Sequence, residues 1–104
     1  MDSKLVVARL SALAQETRLA IFRELIQAGA QGLNAGRISE LTNTAPNSVS
    51  FHMKELVHAG LVRSQQDGRY VIYTAQFDAM NALIAYLTEN CCGGNTCDLN
   101  GCCS

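Results

Sequence analysis

The sequence has no cysteine in its first 90 residues, no tryptophan at all and a single proline. Charged residues make up only 16% of it and the formal net charge is -1. This composition excludes a solvated disordered chain and does not require a strongly acidic or basic partner. The 104 residues, 48% of them hydrophobic, predict one globular domain. A chain of this size buries roughly two thirds of the surface that it exposes when unfolded.

The sequence lacks the signals that are typical of several functional classes. The first residues, "MDSKLVVARLSALAQETR", interrupt their apolar positions with charges, unlike a signal peptide or a membrane span. The sequence has no glycine-rich phosphate loop and no pair of spaced carboxylates, so neither an enzyme nor an organic cofactor is expected. These features predict a cytoplasmic protein without membrane attachment.

Apolar residues recur at helical spacing in five segments. The spacing predicts a first helix in "SKLVVARLSALAQ", a second in "ETRLAIFRELIQAG" that ends at Gly29, and a short third helix capped by Asn34. The fourth, "TAPNSVSFHMKELVHAG", is expected to have Thr44 as N-cap and Pro46 in its first turn. The fifth, "FDAMNALIAYLTEN", is expected to run directly into Cys91.

Between the last two helices the apolar period changes from 3.6 to 2, which is typical of β-strands. The segments "LVRSQQ" and "RYVIYTA" predict a hairpin joined by a type I′ turn at Asp67-Gly68. The predicted fold class is therefore mostly α with a small β-hairpin. Two short helices followed by a hairpin are the pattern of a winged helix-turn-helix, with an ordinary α+β domain as the alternative.

The solvent side of the predicted fourth helix favours DNA binding. It carries short polar groups and one cation that can reach base edges and phosphates: Asn47, Ser48, Ser50, His52 and Lys54. Arg63 and Arg69 flank the hairpin turn, where a basic strand pair can lie along the DNA backbone or probe a minor groove. Acidic and basic residues are nearly balanced over segment 37–69, which includes the fourth helix and the hairpin. One copy therefore offers DNA little net positive charge, and binding is expected to need two copies of the chain.

Two residues of the fourth helix have competing interpretations. His52 is either a half-buried histidine that packs beside Val49 and Leu56 or a contact to DNA. Phe51 is either a partly exposed packing residue or an apolar contact to a thymine methyl group, and packing is the preferred interpretation.

The phrases "LAQETRLAIFREL", "SVSFHMKELVHAGLV" and "DGRYVIYTA" resemble the ArsR/SmtB family of metal-responsive winged-helix repressors, over about residues 5 to 90. The resemblance implies a homodimer formed by the first and last helices. It also implies repression through an inverted repeat and release when a metal or metalloid binds. The polar residues of the fourth helix match the family's recognition helix, and Arg69 matches its wing.

Two of the family's metal sites are not present in this sequence. Where many arsenic- and cadmium-responsive members have Cys-x-Cys on the third helix, this chain has Arg37 and Ser39. Zinc-responsive relatives use histidines and carboxylates on the last helix, whereas the histidines here, His52 and His58, both fall on the fourth. If the protein senses an ion, the C-terminal tail holds the remaining suitable ligands.

That tail, "NCCGGNTCDLNGCCS", contains all five cysteines. Thiolates without a neighbouring histidine select soft ions. Cys91 and Cys92 are adjacent, and the flexible pair Gly93-Gly94 lets the chain fold back to deliver Cys97. The resemblance to members with a C-terminal cysteine group implies trivalent arsenic, or antimony, held by these three thiolates. Cys102 and Cys103 are alternatives as third ligand, partners in a four-thiolate zinc site, or spare capture thiols.

These observations predict a winged helix-turn-helix domain for DNA binding and dimerisation at 1–90, followed by a cysteine-rich flexible tail at 91–104. Because Cys91 lies four residues after Leu87, it is expected to extend the apolar stripe of the last helix, so that ion binding changes the dimer. The predicted function is a homodimeric repressor released from operator DNA by trivalent arsenic. Other soft ions such as zinc, cadmium and copper(I), thiol oxidation, and a metal buffer or metallochaperone are the alternatives.

Overall fold

Residues 2–89 are described by the computed structural model, so the cysteine-rich tail lies outside the described residues. The predicted fold class is confirmed, because the described chain is mostly helical with one small antiparallel sheet. The helices are α1 (Ser3–Leu13), α2 (Glu16–Ala28), α3 (Ala35–Thr42), α4 (Pro46–His58) and α5 (Phe77–Leu87), and the strands are β1 (Leu33–Asn34), β2 (Val62–Asp67) and β3 (Tyr70–Ala75).

The predicted ends of α2 and α3 are confirmed. Gly29 follows α2 with φ of 68°, a backbone conformation that glycine adopts without steric cost, and it opens a short 3-10 turn at Gly29–Gln31. The side chain of Asn34 accepts a hydrogen bond of 2.8 Å from the backbone N–H of Arg37 and so caps α3. Local side-chain and backbone chemistry therefore sets both boundaries.

The predicted N-cap of α4 is wrong by one residue. Ala45 occupies the N-cap position in an extended conformation, and no side chain caps the helix. The residue before a proline avoids the helical region, so α4 starts at Pro46. Thr44 is held instead in the turn from α3, where Ser39 Oγ donates to its carbonyl oxygen at 2.5 Å and its own hydroxyl donates to the Thr42 carbonyl at 3.1 Å.

The fifth helix is shorter than predicted. It ends at Leu87, with Thr88 as its C-cap, so it does not run directly into Cys91. Thr88 Oγ1 donates to the carbonyl oxygen of Ile84 at 2.8 Å, so a threonine side chain occupies an acceptor of the last helical turn. The backbone N–H of Thr88 bonds to the same carbonyl at 3.0 Å, but the N–H of Glu89 bonds to the carbonyl of Tyr86, only three residues earlier, at 3.2 Å. The α-helical hydrogen-bond pattern therefore ends here, although the apolar period predicted a longer helix.

The sheet has three strands in the order β1-β3-β2. Asp67 pairs with Tyr70, so the hairpin turn consists of Gly68 and Arg69 rather than Asp67 and Gly68. Gly68 has φ of 62°, and Arg69 is not among the positive-φ residues of the described chain. Glycine in the first of two turn positions is the type II′ arrangement, so the predicted type I′ turn is wrong.

The third strand, β1, lies just before α3, where the sequence pattern predicts no strand. Its two residues, Leu33 and Asn34, pair antiparallel with Tyr73 and Ile72 of β3. A strand of two residues carries no alternating pattern, so periodicity does not reveal it. Pairing with β1 makes β3 the central strand and ties the wing to the start of α3.

One core holds α2, α3, α4 and the sheet together. Its largest fully buried side chains come from those elements and from the loop that follows α4: Ile21, Leu25, Ile38, Met53, Leu56, Leu61, Val49 and Val62. The outer helices contribute less, because α5 buries only Leu83 while Leu87 is 57% exposed. On α1, Val6 is buried and Val7 is 64% exposed. Among residues 2–89, no helix is both long and apolar enough to cross a membrane.

Gly32 should be intolerant of any side chain, because β1 approaches β3 closely there. It has φ of 67° and ψ of -170°, and a Cβ atom would lie 2.6 Å from Thr74 Cγ2 and against the Tyr73 carbonyl. We expect Gly32→Ala to lower the free energy of unfolding by the roughly 1–3 kcal/mol of backbone strain plus a similar steric cost. Urea denaturation measures the change.

The matched control is Gly29→Ala, because Gly29 has φ of 68° but no other atom lies within 4 Å of the point that a Cβ would occupy. This control shares the backbone strain and lacks the steric clash. Equal losses of stability in the two variants would show that the close approach of β1 to β3 does not constrain Gly32.

Candidate nucleic-acid interface

The α3–α4 turn fixes the orientation of α4. Asn43 adopts the left-handed conformation, with φ of 50°, and its N–H bonds to the carbonyl of Glu40. The backbone N–H of Thr44 bonds to the Ser39 carbonyl at 3.1 Å, while the Ser39 hydroxyl returns a bond to Thr44. This reciprocal pair closes a tight turn between two short helices, as in a helix-turn-helix.

The two sides of α4 differ sharply in burial. Val49, Met53 and Leu56 are fully buried in the core, so the opposite side of the helix faces solvent. The predicted DNA contacts Asn47, Ser48, Ser50 and Lys54 are all exposed. The structure thus brings these four side chains onto the open part of α4, with Asn47, Ser48 and Ser50 in its N-terminal half and Lys54 just past its middle.

His52 has the partial burial that the first of its two interpretations expects. It is half-buried, and Arg18 Nη1 donates to its Nδ1 across 3.4 Å. Since a guanidinium cannot accept a hydrogen bond, Nδ1 is unprotonated in this contact and Nε2 carries the proton of the neutral ring. Burial, and then the positive charge of Arg18, lower the pKa of His52 from 6.5, while Glu55 opposes the shift.

Phe51 is partly exposed, as both of its interpretations expect. Its side chain is 57% exposed, and its ring meets His52 edge-on, with centroids 5.7 Å apart and planes at 70°. An aromatic ring therefore projects from the same open part of α4 as the polar side chains.

The hairpin of β2 and β3 forms the wing beside α4. Arg63 and Arg69 are both exposed, and Arg69 lies in the turn at the wing tip. Gln66 Nε2 donates to the Gly68 carbonyl at 2.9 Å and braces that turn. A groove of about 400 Å³ separates the wing from α4, lined by Met53, Lys54, Val57, His58, Ser64 and Tyr73. Its polar lining groups can hydrogen-bond to a phosphate backbone that passes between the wing and the helix.

Two arginines that the sequence analysis did not select connect α4 to α1. Arg9 Nε donates to the carbonyl of Ala59 at 3.1 Å, just after the end of α4. Arg18 Nε donates to the carbonyl of Ala12 at 2.7 Å, while its Nη1 reaches His52. The partners lie 50 and 34 positions apart, so no local pattern signals these links.

Arg37 and Ser39, the α3 positions where the resemblance implied a possible cysteine pair, have other roles here. Arg37 is exposed and lies 3.7 Å from the carboxylate of Glu40, one helical turn later. Ser39 closes the α3–α4 turn. Within the part of the chain that the structure describes, no group of three or more His, Cys, Asp or Glu side chains is arranged to hold a metal ion. The predicted ligands Cys91, Cys92 and Cys97, and the alternatives Cys102 and Cys103, lie outside that part.

A tight helix-turn-helix with an exposed second helix and an adjacent basic hairpin defines a winged helix-turn-helix DNA-binding protein. Comparison with known proteins agrees. A family model described as a helix-turn-helix domain matches residues 13–65. The HTH-type transcriptional regulator YgaV of Escherichia coli (strain K12) is 32% identical over 85 residues, which cover 82% of this chain and 84% of the relative.

Solved structures agree as well. An ArsR-like transcriptional regulator from Rhodococcus sp. RHA1 has a TM-score of 0.73 at 26% identity, covering 82% of this chain and 77% of that one. A homodimeric winged helix-turn-helix DNA-binding domain from Mycobacterium bovis matches in fold, with a TM-score of 0.68 at 23% identity and coverage of 84% and 81%. The chain belongs to the ArsR/SmtB family of helix-turn-helix transcriptional regulators, and it is not an enzyme.

The lowered pKa of His52 makes stability depend on pH. As the pH falls below about 6.5, the unfolded chain binds a proton at this residue before the folded protein does, so the stabilising contribution present at higher pH is lost. We expect the urea midpoint to fall between about pH 7 and pH 5, and to fall less steeply in His52→Gln.

His58→Gln is the matched control, because His58 lies on the same helix and is exposed. It should keep the wild-type pH dependence of the urea midpoint. If His52→Gln also keeps the full wild-type slope, His52 does not supply this pH dependence.

Proposed function

We propose that this regulator is a cytoplasmic homodimeric repressor that leaves its operator when trivalent arsenic, or antimony, binds thiolates of its C-terminal tail. Three features would act together in such a repressor: a DNA contact through α4 and the wing, a dimer through the outer helices, and an effector site in the tail. Each feature depends on a different set of residues.

The DNA contact is supported by the open side of α4. Asn47 and Ser50 supply hydrogen-bonding groups for base edges, and Lys54 supplies a cation for phosphate. Ser48 and His52 complete the proposed set on the helix, and Arg69 extends it to the wing tip. Since the N-terminal part of a recognition helix faces the bases, the polar groups occupy the end of α4 that this contact requires.

The dimer is supported by apolar residues that α1 and α5 leave exposed to solvent. These residues are Leu5, Val7, Leu10, Phe77, Ile84 and Leu87. Exposed apolar groups concentrated on two helices are typical of an interface. The M. bovis domain of the same fold is homodimeric. A twofold dimer would present two α4 helices to inverted half-sites about 34–36 Å apart.

The effector site is supported by the chemistry of the tail. The chain has five cysteines and all of them follow Glu89, the last described residue. Soft thiolates suit trivalent arsenic, which forms three bonds to sulfur. Each new As–S bond replaces an As–OH bond of arsenous acid and releases water, with no oxidation or reduction. Cys91, Cys92 and Cys97 are the proposed ligands, with Cys102 and Cys103 as alternatives to the third.

The connection between tail and dimer is short. Cys91 follows Leu87 by four residues in the sequence. Leu87 is 57% exposed at the end of α5, within the proposed dimer surface. Binding of an ion by Cys91 and Cys92 would therefore constrain the chain beside that surface. A coupling free energy of about 1–3 kcal/mol between effector and DNA is typical of allosteric proteins.

The DNA contact predicts a changed salt dependence in Lys54→Gln. Loss of one phosphate contact in each subunit should weaken operator binding and lower the slope of log affinity against log salt by about 0.9 per contact. Fluorescence anisotropy on promoter DNA at several salt concentrations measures both effects. Lys4→Gln is the matched control, because it removes the same charge from α1. An unchanged slope in Lys54→Gln would remove Lys54 from the interface.

The effector site predicts that arsenite releases the protein from promoter DNA under reducing conditions. The triple variant Cys91→Ser, Cys92→Ser, Cys97→Ser should bind DNA normally but resist release, because a serine hydroxyl is a hard, weak ligand. The double variant Cys102→Ser, Cys103→Ser is the control and should respond to arsenite.

The same anisotropy assay distinguishes the alternatives. Release of wild type by zinc, cadmium or copper(I) but not by arsenite would identify another soft ion, and release by an oxidant alone would identify thiol oxidation. Normal ion affinity without any operator binding would indicate a metal buffer. Release of the triple variant by arsenite would show that these three thiolates are not the site.

A further inference from the structure

Phe51 is an exposed aromatic residue, and its position on α4 places it among the proposed DNA contacts. α4 begins at Pro46, so Phe51 lies in the second turn of the helix. Asn47 precedes it by one turn and Lys54 follows by one turn, at the spacings that place side chains on one face. The ring therefore projects between two of the proposed DNA contacts, on the side of α4 opposite the core.

One edge of the ring also contacts a side chain that is itself anchored. It meets His52 edge-on with centroids 5.7 Å apart, and Arg18 donates to His52 while it is bonded to the Ala12 carbonyl. A chain of contacts thus runs from the end of α1 to the exposed ring. A side chain supported in this way loses less conformational entropy when it packs against a ligand.

The chemistry of a phenyl ring limits what it can recognise. Phe51 has no hydrogen-bonding group in its side chain, so it cannot read the donors and acceptors of base edges. The apolar feature that the major groove of unmodified DNA offers is the 5-methyl group of thymine. Burying the ring against that methyl removes apolar surface of both partners from water.

We propose that Phe51 determines operator specificity by packing against a thymine methyl group in each half-site. The inference rests on the proposed DNA contact through α4 and not on the tail cysteines. It adopts the second of the two interpretations of Phe51, contact with a thymine methyl group.

Replacing thymine with uracil tests this proposal, because uracil keeps every hydrogen-bonding group and lacks only the methyl. Promoter fragments are made with thymine or with uracil throughout the footprint, and the two dissociation constants are measured by anisotropy. Wild type should bind the uracil fragment about fourfold more weakly for each contacted methyl, the change expected from one methyl-sized apolar group. Single uracil substitutions across the footprint should then locate the contacted thymine.

The Phe51→Ala variant should bind the thymine fragment more weakly than wild type and should discriminate less between the two fragments. Phe51→Leu should keep part of the discrimination, because it retains an apolar side chain. Leu19→Ala, which removes an exposed apolar residue from α2, should keep the wild-type ratio. Thermal unfolding checks that the variants remain folded. Any effect of uracil on DNA shape alone acts on all four proteins alike and cancels in the comparison.

Two outcomes would overturn the proposal for different reasons. If wild type binds its promoter but Phe51→Ala retains the same thymine-to-uracil ratio, Phe51 does not read a methyl group, while the proposed DNA contact stands. If wild type fails to bind its promoter at any salt concentration, the proposed function and the role of Phe51 fail together.

Discussion

Burial of one side of α4 is the constraint on which the rest of the molecule depends. Val49 and Leu56 have no exposed surface, so the helix cannot rotate without bringing apolar groups into water. Because that side is fixed, the opposite side with Asn47, Phe51 and Lys54 must face outward. The same burial joins α4 to the sheet, which places the wing beside the recognition helix.

The hydrogen bonds around α4 fix its two ends and its middle. The Ser39–Thr44 pair sets its start, and Arg9 reaches the carbonyl of Ala59 just beyond its last turn. Arg18 connects the end of α1 to His52 halfway along the helix. Since α1 carries part of the proposed dimer surface, these contacts give a physical route by which a change in the dimer would reach the DNA contact.

Much of the fold followed from local rules that the sequence displays. Five segments with apolar residues at helical spacing predicted the five helices, and the change to a period of two predicted the hairpin. Asn34 predicted the start of α3, and Gly29 predicted the end of α2. Errors arose where another interaction outweighed the local pattern. Pro46 moved the start of α4, and α5 ended where the N–H of Glu89 bonds three residues back, to Tyr86, instead of four. β1 was not predicted because two residues have no period, and its position depends on β3.

The sequence by itself determined the family, the polar composition of the recognition helix and the confinement of thiols to the C-terminal tail. Those properties depend on residue identity and spacing, which are local. Only the tertiary structure decided that His52 accepts from Arg18, that Arg9 reaches the Ala59 carbonyl and that β1 completes the sheet. Each of these depends on which distant residue packs alongside, and the 34 positions between Arg18 and His52 are bridged only when the helices pack.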